Sequence, residues 1–385
     1  MSRISSFLYK TVYSKILNKC INLFYYLPVR RNKIVLLHDY GLGYGDSPKY
    51  IAEALLKEGF SFDIVWLVNN MSLDIPRPIR KVYLARIRSV YELATAKVIV
   101  TTMKGRVNLR KKKNQFFIYI PHGQSGAKYV EKAAKGLGQP YIEGSKWHSS
   151  VSDLFLSSSK MQTQEMKDFF WYDGEIVEYG LPRNDIFFHF TNSQMQEIRG
   201  KLGIGKDDVV VLYAPTFRNE GDMSVYNLDT KRLLVKLEEK TGKKCRILIR
   251  LHPNFIWYGK PDITYSDTVI DVTDYPDIQE LLIASDMLIT DYSSTMFDFM
   301  LMKRPVFLFA KDIKEYQKMR GLKDWFDKVP FPVCRDNDEL VGAMMRFDEV
   351  SYLNELEAFN QLYGSLEDGH ATERVVSRIK SEIKK

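Results

Sequence analysis

Cysteine is scarce in this chain: Cys20, Cys245 and Cys334 are odd in number, far apart, and form no C-x-x-C pair. Neither a disulfide framework nor a thiolate zinc site is supported, and a reducing compartment is expected. No G-x-x-x-x-G-K-[ST], H-E-x-x-H or G-x-S-x-G string occurs, which removes P-loop nucleotide hydrolases, zinc proteases and most serine hydrolases. There is no short repeat, no low-complexity tract and no largely uncharged stretch of about 20 apolar residues that would span a bilayer. Acidic residues are missing from the start of the chain. The first is Asp39, and Arg3, Lys10, Lys15, Lys19, Arg30, Arg31 and Lys33 all precede it.

What is present is an ordinary globular composition: 385 residues, 45% hydrophobic, 27% charged, formal net charge +8. At roughly 150 residues per domain, two domains with a cleft between them are expected. Within the basic start, Ile4, Phe7, Leu8, Val12, Ile16, Leu17, Cys20, Ile21, Leu23, Phe24 and Leu27 recur at helical spacing. Residues 1–30 are therefore predicted as a basic amphipathic helix, and no small-residue cleavage pattern marks a removable signal peptide. Such a helix suits an anionic membrane surface, where each Lys or Arg adds about 1 kcal/mol; the alternative is packing on the protein's own core. A second basic cluster, Arg106 with Arg110, Lys111, Lys112 and Lys113, extends that surface, holds a polyanion, or is a solvated loop. Nucleic acid is not expected as a partner, because no helix-turn-helix, RNA-binding sheet motif or zinc-finger spacing accompanies the charge.

Strand-like runs at Lys33–His38, Phe62–Val68, Val98–Thr102, Phe116–Ile120, Leu154–Ser157 and Ile176–Tyr179 alternate with helical periods, the first at Pro48–Lys57. The rhythm restarts with Val209–Tyr213, Arg246–Leu251, Met287–Thr290 and Val306–Phe309, with helices beginning near Asp229, Pro276, Ser294 and Asp312. The fold class is α/β: two doubly wound parallel halves, 31–190 and 191–385, joined through 181–207 and binding ligands at the carboxyl ends of their strands.

In the second half, Asp286 to Pro305 (DMLITDYSSTMFDFMLMKRP) runs from a hydrophobic strand through Asp291, Tyr292, Ser293 and Ser294 into a helix. Serines at such a junction either cap the helix or sit beside free N–H groups that receive phosphate. YAPTFR (213–218) and RLHPN (250–254) follow two other strands of the same half. They bring Thr216, Arg218, Arg250 and His252 to that edge, a set suited to clamping a pyrophosphate. In the first half a strand ends in Pro121, His122, Gly123 and Gln124. His122 is a candidate general base, and Gly123 leaves room for substrate. His38, His148 and His189 are assigned structural roles, although His38 also ends a strand. Gly41, Gly43 and Gly45 resemble part of a dinucleotide fingerprint, but the second strand ends in Asn69 and Asn70 rather than an acid, so nicotinamide binding is rejected. Asp336-Asn337-Asp338 precedes a helix, where capping is favoured over metal binding.

The motifs Gly180-Leu181-Pro182-Arg183-Asn184-Asp185, YAPTFR, RLHPN, Asp274-Tyr275-Pro276-Asp277-Ile278, ITDYSS with Phe297-Asp298-Phe299, Lys303-Arg304-Pro305, and Asp368-Gly369 with Ala371 and Arg374 stand in one order. In that order the second half resembles the CDP-glycerol glycerophosphotransferase family of teichoic acid synthesis. The resemblance implies a GT-B-like fold of two Rossmann-type domains, with the activated donor on the second. It further implies transfer of a polyol phosphate from CDP-glycerol or a related CDP-polyol to a hydroxyl of a lipid-linked or polymer acceptor, releasing CMP. His122 would take the acceptor proton. His252, Arg218, Ser293, Ser294 and Arg374, with Thr216 and Arg250 beside them, would neutralise the diphosphate, and Asp277 would bond ribose or cytosine unless it only caps its helix. His122-Gly123 looks like the family's H-G motif, and Tyr44, Asp46, Pro48 and Lys49 look like another family stretch, which places Gly123, Lys128, Tyr44 and Lys49 on the acceptor side. Gln124-Ser125-Gly126-Ala127-Lys128 departs from the family's usual threonine, proline and lysine run, so acceptor and polyol stay open. No tightly bound metal is expected, with Mg²⁺ on the donor left open, and the expected location is peripheral, at the cytoplasmic face of the cell membrane. The competing expectations are a GT-B sugar transferase using a nucleotide sugar and a non-enzymatic basic membrane or nucleic-acid adaptor.

Overall fold

The structure is a computed structural model that describes every residue except 1–15, 17–18, 39–40, 42, 60–61, 85, 106, 108, 219–222, 253–254 and 256–260. Most of the expected N-terminal helix, and Arg106, thus lie outside the described residues. Residues 19–24 are helical.

Seven strands form the first sheet: β1 Arg30–Leu37, β2 Asp63–Val68, β3 Arg80–Tyr83, β4 Ala96–Thr101, β5 Phe116–Tyr119, β6 Leu154–Leu156 and β7 Glu175–Val177. Their order is β3-β2-β1-β4-β5-β6-β7, and every pairing is parallel, with Val35 opposite both Val65 and Ile99. The second half of β1, Ile34–Leu37, is continuously apolar and buried because helices cover both faces of the sheet. Ile34 and Leu36 face one core with Trp66, Val98 and Ile118, while Val35 and Leu37 face the other with Val65, Ile99 and Phe117. Each such fully buried side chain contributes about 1.5–3 kcal/mol.

The second sheet repeats the logic with β8 Val209–Tyr213, β9 Cys245–Ile249, β10 Val269–Asp271, β11 Met287–Thr290, β12 Val306–Phe309 and β13 Val333–Cys334, in the order β10-β9-β8-β11-β12-β13. In each sheet the strand order reverses beside the first strand, between β1 and β4 and between β8 and β11. Those two switch points are where such sheets open a crevice for ligands.

The expected second domain, 191–385, needs correcting at its end. The helix Ala371–Lys384 carries Val375, Val376 and Ile379 into the core of the first sheet beside Ile34 and Val98. Its apolar stripe matches the face left open along β1 and β4, so the chain returns to the first domain. No helix among the described residues is long and apolar enough to cross a membrane.

Candidate functional site

The clamp expected on the second sheet begins with Asp291, at the end of β11. Its Oδ1 accepts from the Thr216 amide at 2.9 Å and from the Tyr292 amide at 2.6 Å, and its Oδ2 pairs with Arg218. The loops after β8 and β11 are thereby laced together at the switch point. Arg218 also forks onto Asp312 at 2.9 and 3.0 Å, donates to the Thr216 carbonyl, and lies about 5 Å from the ring centres of Tyr226, Tyr292 and Tyr316. Burial pushes the Asp312 carboxyl up, but hydrogen bonds and charge from Arg218 outweigh it and hold the group below its ordinary value. In this structure the planar fork of Arg218 is engaged by two carboxylates and a carbonyl, so it braces the loop on which Thr216 stands. The Thr216 hydroxyl is buried without a hydrogen-bond partner among the described residues, as suits a group kept for a ligand.

His252 follows β9, is exposed, and lies tilted against Phe217 with 5.8 Å between ring centres, next to the Thr216–Arg218 loop. Arg250, the last residue before Leu251 and His252, is half-buried. Its Nη1 donates to the carbonyls of Val272 and Tyr275 at 3.2 and 2.6 Å and buttresses the segment leading to Asp277. Ser293 receives the Thr295 amide at 3.3 Å, and Ser294 opens the helix Thr295–Met300 without capping it through its side chain.

From the first sheet, the loop after β5 reaches this same edge. His122 is exposed, and its carbonyl accepts from Arg183 at 2.7 Å. A Cβ placed on Gly123 would overlap the Ser294 hydroxyl, with Ser294 Cβ 3.3 Å away and Arg183 Nη2 at 3.6 Å; one placed on Gly126 would be 3.5 Å from Ser294 Cβ. Two motifs that lie far apart in sequence are thus in van der Waals contact, and the glycine is required by close approach. Lys128 forms an antiparallel bridge with Leu322 of the second half. Burial, then Arg320, pushes its ammonium down to about 8, with Asp291 opposing and Arg218 and Lys323 adding to the fall.

Other expected residues are engaged elsewhere. Asp277 caps the helix Ile278–Ala284 by accepting from the Gln279 amide at 3.0 Å, and its other oxygen receives Lys49 at 2.7 Å and the Tyr50 hydroxyl at 3.0 Å. Lys49 reaches Glu280 as well, at 3.0 Å. The supposed nucleoside ligand and the supposed acceptor-side lysine therefore neutralise each other across the two domains. Tyr44 is buried against Trp66, 4.6 Å between ring centres, in the core of the first sheet. Arg374 is bound to Asp368 and to the Tyr179 carbonyl beyond β7, and no described contact brings it to the Ser294 edge. In the second basic cluster, Lys112 donates to the carbonyls of Leu27 and Ala94 at 2.6 and 2.5 Å, Lys111 pairs with Asp153 at 2.7 Å, and Arg110 lies over Tyr25 at 4.1 Å. That cluster anchors the end of the N-terminal segment.

Asp46, Arg183 and Asp298, which carry no assignment in the sequence reading, meet beneath this contact. Arg183 and Asp298 were visible only as members of the Gly180–Asp185 and Phe297–Phe299 motifs. Among the described residues, no group of three or more His, Cys, Asp or Glu could hold a metal ion.

Two parallel Rossmann-type sheets with their switch-point loops in contact define a GT-B-like fold. Residues 20–381 match the family described as CDP-Glycerol:Poly(glycerophosphate) glycerophosphotransferase, and the chain belongs to that family. It is 31% identical over 361 residues to a teichoic acid poly(glycerol phosphate) polymerase of Staphylococcus epidermidis, covering 89% of this chain and 50% of that protein. It is 27% identical over 367 residues to a teichoic acid poly(ribitol-phosphate) polymerase of Bacillus spizizenii, covering 93% and 58%. The chain thus spans about half the length of these two relatives. A solved structure of a histidine-to-asparagine variant of the wall teichoic acid polymerase TagF, soaked with CDPG, superposes with a TM-score of 0.84 at 29% identity, covering 100% of this chain and 99% of that one.

Proposed function

We propose that this protein transfers a polyol phosphate, in the first instance glycerol phosphate, from a CDP-polyol to a hydroxyl of a membrane-anchored acceptor, releasing CMP. The observation that carries this reading is the packing of the His122–Gly123 loop directly on Ser294, within a family whose description names CDP-glycerol. A general base presented by one sheet then faces phosphate-binding groups presented by the other. Transfer needs alignment and charge stabilisation more than covalent help. His122 takes the proton of the attacking hydroxyl; His252, the Thr216 hydroxyl and the groups of Ser293 and Ser294 receive the charge that moves onto CMP. Lys128, on the rim between the domains, contributes a further positive charge on the acceptor side. Any Mg²⁺ enters with the donor's diphosphate.

The acceptor is lipid-linked or polymeric in this reading, and the protein works peripherally at the cytoplasmic face of the membrane. Support comes from the exposed Leu23 and Tyr26 beside the basic segment seated on Lys112. The polyol stays open between glycerol and ribitol, since relatives named for both are similar to this chain.

The test is incubation with CDP-glycerol, CDP-ribitol and a panel of UDP-sugars, scoring CMP against UDP release, followed by mass analysis of the product on a defined lipid-linked acceptor. CMP release with addition of polyol phosphate units supports the proposal. UDP release would favour the sugar transferase instead, and salt-sensitive nucleic-acid binding without turnover would favour the adaptor.

A further inference from the structure

Arg183 is buried in the junction between the two halves, and its side chain reaches four segments at once. Nη1 donates to Asp46 Oδ2 at 3.1 Å, after β1, and to the His122 carbonyl at 2.7 Å, after β5. Nη2 pairs with Asp298, on the helix after β11. Nε lies 3.3 Å from the Gln279 carbonyl oxygen, on the helix after β10, in the amide orientation that also lets Gln279 donate to Asp277. The remaining Asp298 oxygen receives Asn184 at 3.1 Å and Gln124 at 3.2 Å. Gln124 is the residue two after His122.

Such an arginine has little capacity left for a ligand, yet its neighbours form the contact on which transfer depends. Gly123 rests between Arg183 Nη2 and Ser294. Asp46 is buried and adopts φ 56°, a left-handed backbone at the start of its helix, of the kind retained where surrounding structure over-determines it. Burial pushes the Asp46 carboxyl up, but Arg183, His38, the Ser47 amide and His122 outweigh that and hold it below its ordinary value. A single guanidinium between two buried carboxylates adds little stability over an apolar replacement. What it does supply is geometry, because a planar fork fixes direction as well as distance.

We propose that Arg183, gripped by Asp46 and Asp298, is a positioning residue for the transfer: it fixes the His122 backbone at a set distance from the donor helix that begins at Ser294. The inference rests on the proposed reaction for its kinetic consequence, but not for its structural one. Lysine keeps the charge at this position and loses the fork, and Asp46→Asn keeps the shape and weakens one side of the grip.

The experiment compares wild type, Arg183→Lys and Asp46→Asn for CMP release from CDP-glycerol and for amide hydrogen exchange. The expected result for a folded variant is a kcat reduced roughly a hundredfold, as for a misplacement of about 1 Å, with the KM for CDP-glycerol within about threefold of wild type. Amides of residues 121–127 should exchange faster while β4 and β5 stay protected. Unchanged exchange at 121–127 in both variants would overturn the proposal whatever happens to kcat, and so would wild-type kcat. A wild type that releases no CMP would instead defeat the proposed reaction, and the exchange measurement would still decide the role of Arg183.

Discussion

Gly123→Ala is the substitution that probes the meeting of the two halves most locally. The added methyl would overlap the Ser294 hydroxyl and stop 3.3 Å from Ser294 Cβ. Relief requires either that the Ser294 side chain rotate away or that the loop after β5 retreat by about 1 Å, and a displacement of that size costs on the order of a hundredfold in rate. Both routes act through Ser294, so the cost depends on what stands there. In a Ser294→Ala background the hydroxyl is gone, and a second loss on adding Gly123→Ala should be much smaller. A double-mutant cycle on CMP release, run at saturating and limiting CDP-glycerol, should give a coupling energy within the roughly 0.5–3 kcal/mol typical of residues in contact. Full activity in Gly123→Ala, or strictly additive losses, would refute a functional contact between these loops.

Arg218→Ala leaves Asp291 and Asp312 buried without their partner, so the second domain should lose about 3–5 kcal/mol of stability in urea unfolding; weakened donor affinity in a fully stable protein would restore Arg218 as a direct ligand. Arg374→Ala, tied to Asp368 and Tyr179, should leave the KM for CDP-glycerol unchanged by steady-state kinetics, and a marked rise would return it to the donor site. His148 is buried among Phe117, Tyr119 and Phe155, and burial, reinforced by Lys104, pushes its imidazole down to about 3. The unfolded chain binds this proton below about pH 6.5 and the folded chain does not, so stability present at neutral pH falls as the solution is acidified. At about pH 5 the loss is about 2 kcal/mol. His148→Phe should flatten this acid limb, as measured by urea midpoints at about pH 8 and pH 5; an unchanged limb would mean that the histidine is not buried as described.

Much of the fold was legible because the central strands are buried on both faces. Ile34–Leu37 of β1, Val98–Val100 of β4, all of β8 and Met287–Ile289 of β11 are unbroken apolar runs, and helix starts at Asp229 and Asp277 carry the side-chain caps that mark them. β3, β10 and β13 escaped notice: they are edge strands of 4, 3 and 2 residues, too short to show a period, and two of them include charged residues. The amphipathic pattern of Ala371–Lys384 was readable, but the sheet on which it would land was not, since local sequence does not encode its partner.

The site followed the same division. Strand-end motifs could be placed at one edge from the parallel topology alone, which brought His122 and Gly123 toward Ser294. Whether an individual charge would be free was a tertiary matter. Arg218 finds Asp312 some distance along the chain, and Lys49 finds Asp277 on the other domain. An arginine or lysine looks the same in sequence whether it awaits a ligand or is already satisfied. Arg183 and Asp298 were visible as motif members, yet nothing in the sequence said that they would meet each other.

The most direct test of the two-sheet site is to separate its halves in one calorimetric and kinetic comparison of His122→Gln and His252→Gln. Loss of CMP release with CDP-glycerol affinity retained in His122→Gln, and loss of that affinity in His252→Gln, is the expected result. Normal turnover by His122→Gln, or unimpaired donor binding by His252→Gln, would contradict the assignment of base to the first sheet and clamp to the second.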